Sequence, residues 1–400
     1  MSGLTTSYRS PRYTPQRGAV GRLLARESPL RRMDWVLVAA AVALSGLGSL
    51  LVWSATRSRS DINHGDPQYF LVRHLLNLAI GIGLCVGIVL LGHHRLRTAV
   101  PFLYGFAVLA VLAVLSPLGS TVNGAHSWIV LGGGFSVQPS EFCKIAIILG
   151  MATLLSARVD AGETPHPQGK AIVQALALAS VPIGVILLMP DLGSTMVMVV
   201  IILAVLLASG APTRWLLGLI VVGGTGAFAV VQLHLLKQYQ IARFAAFADP
   251  RLDPSGVGYN TAQARIAIGS GGLSGQGLFH GTQTTGQFVP EQQTDFVFTV
   301  AGEELGFLGA GLIILLLAVV LWRACRIARQ AGDLYSTVVA AGVVAWFGFQ
   351  AFENIGMTLG IMPVAGIPLP FVSYGGSSMF AIWVGIGLLQ SVRMQRIMPA

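Results

Sequence analysis

The chain has 400 residues, of which 54% are hydrophobic and only 10% charged, with a mean hydropathy of +0.72. That composition excludes a soluble enzyme built on a large aqueous surface and makes the lipid bilayer the main solvent. The net charge of +9 does not mark a nucleic-acid binder, because the bases are scattered among loops and a tail, without a basic groove or interleaved aromatics; membrane topology and anionic lipid account for them.

Residues 1–32 carry Arg9, Arg12, Arg17, Arg22, Arg26, Arg31 and Arg32 against one acid, Glu27. This basic tail, with its Ser and Pro, reads as disordered and cytoplasmic. No short apolar segment with a small-residue cleavage site precedes the first span, so no removable signal peptide is expected and the first span serves as the insertion signal. Crossing the hydrocarbon core takes ~20 apolar residues. Ten stretches qualify, at 34–55, 71–92, 96–116, 139–156, 171–189, 191–210, 213–235, 299–323, 335–359 and 373–392. The expected fold is an all-α integral membrane domain over 33–395, with one long extracytoplasmic loop, 236–297, between the seventh and eighth helices.

Positive loops resist translocation. With ten alternating helices, Arg95, Arg97, Arg158, Lys170, Arg214, Arg323, Arg326, Arg329, Arg393 and Arg396 share the side of the N-terminal tail, whereas 117–138 has no Lys or Arg. Both termini are therefore expected in the cytoplasm. Arg57 and Arg59 break the pattern, beside Asp61 and Asp66. Cys85, Cys143 and Cys325 form no disulfide framework or CxxC site, and the eight histidines show no ligand spacing, so no structural metal is expected.

Polar groups at membrane depth stand out, since the bilayer cannot solvate them. At the start of the fourth span Pro139 and Ser140 suit a helix start, and Glu141 and Lys144 lie on one face at i, i+3. Two readings stay open: a neutralising pair that holds helices together, or Lys144 facing a polar cavity with Glu141 setting its position. Asp191 suits an N-cap of the sixth helix. The long outer loop is expected to form short amphipathic helices on the outer membrane surface, and a loop of about 60 residues is uncommon unless functional or disordered. Its glycine run 269–277 resembles a nucleotide loop only superficially, lacking a preceding strand and facing the wrong side; its glycines let backbone pass closely over a membrane surface or a bulky ligand. Arg243, Arg251 and Arg265 can bind phosphate, although exposed arginines are usually only solvated.

The loop ends in Phe288 to Phe296, and Asp295 at this membrane boundary is the best candidate for chemistry. Glu303 and Glu304 follow at the entry to the eighth span, where the helix dipole would stabilise them without any chemistry. Glu353 and Asn354 lie inside the ninth span, and an internal acid lines a cavity or meets a cation. Prolines at 363, 368 and 370 make 362–378 an irregular or re-entrant outer segment that protein must shield.

Several motifs in order, NGAHSWI (123–129), QPSEFCK (138–144), MPDLGST (189–195), AIGSGGLSGQG (267–277), PEQQTDFVFTVAGEELGFLG (290–309) and ENIGMTLGIMPVAGIPLPFVSYGGSS (353–378), resemble the SEDS family of shape, elongation, division and sporulation proteins. The resemblance covers about 34 to 392 and favours the elongation branch over the division branch. Two departures are Ala125-His126-Ser127, where many members place a basic residue before the tryptophan, and Glu353, where a small apolar residue is common. The resemblance implies a glycosyltransferase that polymerises lipid II outside the cytoplasmic membrane, with Asp295 as general base. Lys144 and Arg243 would stabilise the leaving pyrophosphate, with Glu141 orienting Lys144, and Trp128, Gln138, Ser140, Asp191, Glu291, Thr294 and Ser373 would complete the substrate contacts. No cofactor is required; a divalent cation can share the pyrophosphate role, although no dedicated cage is visible. The implied partner is a class B penicillin-binding transpeptidase packed beside the eighth and ninth spans. Two competing readings are a lipid II flippase, which would line a path to the inner leaflet, and a non-catalytic scaffold. The polar motifs cluster at the outer side instead.

Overall fold

The computed structural model describes residues 32–122, 125–132, 135–189, 191–233, 241, 243, 247 and 256–395. Residues 1–33 form a unit separate from 34–400, and all of it but Arg32 and Met33 lies outside the described residues, as does Arg251.

The helices in chain order are α1 (Trp35–Thr56), α2 (Tyr69–Leu91), α3 (His93–Val114), α4 (Pro139–Asp160), α5 (Gly169–Leu188), α6 (Leu192–Ala208), α7 (Thr213–Gln232), α8 (Val257–Ser270), α9 (Thr282–Thr285), α10 (Val297–Glu304), α11 (Gly306–Arg329), α12 (Leu334–Leu359) and α13 (Gly376–Gln395). Among the described residues eight are long and apolar enough to cross a membrane: α1 to α5, α7, α11 and α12. The protein is a multi-pass membrane protein. The membrane-spanning part is helical as expected, and among the described residues 119–137 adds a three-stranded antiparallel sheet that the sequence reading did not foresee, β1 (Gly119–Val122), β2 (Ala125–Gly132) and β3 (Phe135–Val137), in that order. Trp128 pairs with Ser120, and Ile129 with both Gly119 and Val137. Trp128, Ile129, Val130 and Val137 are aromatic or β-branched, residue types that suit strand pairing better than a helix.

Asp34 shows how one residue ends a span and joins three helices. Its carboxylate caps α1 by accepting from Leu37 N at 3.1 Å and also receives Arg323 Nε of α11 at 2.9 Å. Gln390 of α13 accepts from Asp34 N at 2.8 Å and donates to Asp34 O at 3.0 Å. Elsewhere α12 packs against α4, α6 and α11, and α13 against α2. The core is aliphatic, with Trp346, Trp383, Tyr335 and Phe347 as its largest members. By contrast α7 buries no residue, so lipid is its solvent.

The expected eighth span is broken at Leu305–Gly306, where Gly306 takes φ 65°. Helix ends leave backbone groups without partners, and the glycine run supplies them. Gln276 N and Gly277 N donate to the carbonyls of Glu303 and Glu304, each at 3.0 Å, while Phe307 N and Leu308 N donate to Gly272 O and Leu273 O at 2.9 and 3.1 Å. A Cβ on Gly271 would lie 2.0 Å from Gly302 O, and one on Gly275 2.1 Å from Glu304 O. The glycines therefore allow close approach to the chain's own helix junction rather than to a membrane surface or ligand. Likewise α8 packs against α10 and α12 with Ala264 and Ala267 buried, leaving Ile266 exposed. It is a docked helix and not one with a purely polar outer face.

Candidate active site

Asp295 is held by its main chain. Glu291, in a left-handed conformation with φ 51°, offers its carbonyl to the N–H groups of Thr294, Asp295 and Phe296 at 3.2, 3.1 and 3.2 Å. This tight turn presents Asp295 just before α10 begins. From the opposite side Asn354 of α12 donates through Nδ2 to Asp295 O at 2.8 Å and to Ile367 O at 2.7 Å. Gly366, with φ 70°, lies against the carboxyl: a Cβ there would stand 3.4 Å from Asp295 Oδ2. Any L-residue at 366 would be strained by this positive φ, and its Cβ would sit in van der Waals contact with the carboxylate.

Asp295 itself is half-buried. Burial of its carboxyl, reinforced by the Glu291 and Asp191 charges, pushes it up from 3.8 to about 7, against the opposing pull of Arg243 and a hydrogen bond from Thr294. A carboxyl tuned to that value can both take and release a proton near neutrality. Glu291 Oε2 in turn accepts from Gln293 Nε2 and Thr294 Oγ1, each at 3.3 Å.

Nearby, Asp191 caps α6 by accepting from Ser194 N at 3.0 Å and accepts from Gln138 Nε2 at 3.3 Å. Ser140 accepts from Ser194 Oγ at 3.3 Å, and Gln138 N donates to Ser377 Oγ at 2.9 Å. Gln138, Ser140 and Asp191 are thus one connected group, and Asp191 acts on Asp295 electrostatically. Ser373 closes its own turn by accepting from Leu369 N at 2.8 Å. Trp128 lies on β2, partly exposed.

Lys144 and Glu141 form a separate, deeper cluster. Lys144 Nζ donates to Glu141 Oε1 at 2.6 Å and to Gln350 Oε1 at 3.1 Å, and lies 5.4 Å from the Trp346 ring centroid. Both charged residues are buried, with Lys144 at 0% exposure. Gln350 continues to Pro368 O at 2.9 Å. Gln350 and Asn354, one turn apart on α12, therefore pin the carbonyls of the proline-rich segment, whose prolines cannot continue a helix and whose Ile367, Leu369, Phe371 and Val372 are buried as expected.

Glu303 and Glu304 stand at the C-terminal end of α10, so the expected helix-dipole stabilisation does not apply. Glu303 instead accepts from Gln283 N at 2.6 Å, Thr284 N at 2.9 Å and Thr284 Oγ1 at 2.7 Å, and Glu304 accepts from Ser54 Oγ at 2.6 Å. Both fasten the outer loop. Arg243 acts on Asp295 and Glu353, whereas Arg265 lies beside Gly360 at the end of α12. Sequence reasoning missed Gln350 and Ser377; the signal for Gln350 was its position four residues before Asn354, a polar pair on one face of an otherwise apolar helix. Among the described residues no group of three His, Cys, Asp or Glu side chains can hold a metal ion.

Replacing Asn354 by Leu strands the carbonyls of Asp295 and Ile367, at about 1–3 kcal/mol for each buried group left unmade. A lower thermal midpoint with a displaced, less active Asp295 is the expected result; a variant with wild-type midpoint and activity would remove Asn354 from this role.

Residues 34–397 match the family of cell cycle proteins that groups FtsW, RodA and SpoVE. The chain is similar to Stage V sporulation protein E of Bacillus subtilis (strain 168), 37% identical over 360 residues that cover 90% of this chain and 96% of that protein. It is similar also to the probable peptidoglycan glycosyltransferase FtsW of Trichlorobacter lovleyi, 35% identical over 383 residues, covering 92% and 95%. A solved structure on the coordination of polymerization and crosslinking by a peptidoglycan synthase complex superposes with a TM-score of 0.74 at 30% identity, covering 92% of this chain and 99% of that one. With the family match spanning the whole helical domain and the motif order agreeing, the chain belongs to the FtsW, RodA and SpoVE family, the SEDS family.

Proposed function

We propose that the protein is a peptidoglycan glycosyltransferase that polymerises lipid II into β-1,4 glycan strands at the outer face of the cytoplasmic membrane during elongation. The observation that carries this reading is Asp295, a carboxyl at the membrane boundary pushed up to about 7 and held by Asn354 and the Glu291 turn. Asp295 takes the proton of the acceptor sugar 4-hydroxyl as it attacks the anomeric carbon of the growing strand, and undecaprenyl pyrophosphate departs from the opposite face with inversion. Arg243, whose charge already acts on Asp295, offers charge-assisted hydrogen bonds to the pyrophosphate, and Lys144 adds a deeper positive charge braced by Glu141.

Ten spans with both termini cytoplasmic fit this reading, with α6, an apolar helix of 17 residues, and α13 completing the set. Assignment to the RodA branch rests on the run MPVAGIPLPFVSYGG (362–376). The partner is a class B penicillin-binding transpeptidase. An apolar groove of ≈ 310 Å³ between α11 and α12, lined by Leu317, Leu321, Gly348, Phe352 and Ile355, has room for a few side chains of a single membrane helix, and this reading places the partner there.

Gel analysis of glycan formed from labelled lipid II by the purified protein, alone and with its transpeptidase, tests the function. A ladder of polymer is expected. Its absence in both conditions, with the transpeptidase active, would shift the assignment to lipid transport or scaffolding.

A further inference from the structure

Glu353 takes no part in the chemistry above. It lies inside α12, is fully buried, and neither carboxyl oxygen finds a hydrogen-bond partner among the described residues. A buried carboxylate with no donor beside it is among the groups a protein interior tolerates least. The same stretch of α12 faces the site: Asn354 holds the main chain of Asp295, and Gln350, one turn earlier, holds Lys144 and Pro368 O. Residues at i, i+3 and i+4 share one helix face, which places Glu353 with these two.

The charges that act on Glu353 are Asp295 and Arg243. Other charged groups on elements packed against α12 are engaged elsewhere. Glu141 and Lys144 of α4 bind each other, Asp191 caps α6, and Glu303 and Glu304 of α10 hold the outer loop and Ser54. Arg323 of α11 binds Asp34, Arg393 of α13 reaches Gln330, and Arg265 of α8 lies at Gly360. Two carboxyls close enough to feel each other's charge ionise in two coupled steps, because the second negative charge is repelled by the first.

We propose that Glu353 is a positioning residue for Asp295: the two carboxyls act as an electrostatically coupled pair that carries one proton, and so a single negative charge, when substrate binds. This rests on the reading of Asp295 as the base. One proton on the pair leaves a defined lone pair for the acceptor and spares the incoming pyrophosphate a second negative charge. During transfer the acceptor hydroxyl proton moves to Asp295 as the new C–O bond forms. The bond from the anomeric carbon to the phosphate oxygen breaks, its electron pair leaving on pyrophosphate. The pair then holds two protons and returns one to solvent before the next addition.

The test is the pH profile of kcat/KM for labelled lipid II, each protein normalised to its own maximum, for wild type, Glu353→Gln and Glu353→Val, with Asp295→Asn alongside and thermal midpoints as the folding control. In the wild type the profile rises, then falls on the alkaline side by about tenfold per pH unit as the second proton leaves. Both Glu353 variants are expected to keep the rise and lose the alkaline fall; should the Val variant fail to fold, the near-isosteric Gln variant decides alone. Superimposable profiles for wild type and Glu353→Gln, with Asp295→Asn inactive, would overturn the pairing and leave the base intact. Polymer from Asp295→Asn would overturn both.

Discussion

Asp295→Asn is expected to lower glycan polymerisation by about 10²–10⁴-fold, the range a positioned general base contributes. Asparagine keeps the shape and the backbone bonds to Glu291 and Asn354 and removes only the proton acceptor. The base works ionised, so wild-type polymerisation should fall as pH drops through about 7, the value to which burial and Glu291 raise this carboxyl. Stability runs the opposite way. A carboxyl whose folded value lies above its unfolded 3.8 binds its proton more tightly in the folded state. The folded protein therefore loses relative stability as pH rises through that window and stays lower above it. Asn lifts this penalty, and the variant's thermal midpoint should exceed that of wild type at neutral pH and above. An inactive variant with a lower midpoint would instead mark Asp295 as a structural group.

Lys144→Met is expected to cost about 3–5 kcal/mol, the loss measured when one member of a buried ion pair is removed. Met fills much of the volume but leaves Glu141, 1% exposed and already with Oε2 lacking a partner, as an uncompensated buried charge. Gln350 also loses its contact to Nζ. The double variant Glu141→Gln with Lys144→Met removes both charges and should recover most of the stability, since neutral replacement of a buried pair is often near neutral. A double-mutant cycle on unfolding in detergent measures this, with polymerisation assayed in parallel. Recovered stability with wild-type polymerisation would make the pair purely structural; recovered stability with depressed polymerisation would show that the Lys144 charge serves the substrate.

The polar residues that the sequence singled out divide by how local their partners are. Asp191 as a helix cap was legible because a cap bonds within three residues of itself. The Glu141–Lys144 contact was legible for the same reason. Glu303 and Glu304 were misplaced because the helix break at Gly306 depends on backbone bonds to Gly272, Leu273, Gln276 and Gly277, about thirty residues earlier. The hydropathy of 299–323 carries no trace of it. The sheet at 119–137 escaped because its strands are short and its stability comes from cross-strand pairs.

By itself the sequence determined that this protein lives in a bilayer, because runs of apolar residues long enough to span hydrocarbon admit few other solutions, and its ordered motifs determined the family. Only the tertiary structure decided which polar groups meet. Asn354 under Asp295, Gln350 between Lys144 and Pro368, and the buried Glu353 beside the site all depend on where α12 lies against a segment that comes later in the chain and a loop that comes earlier. Such contacts are set by packing of distant elements, and local periodicity does not record them.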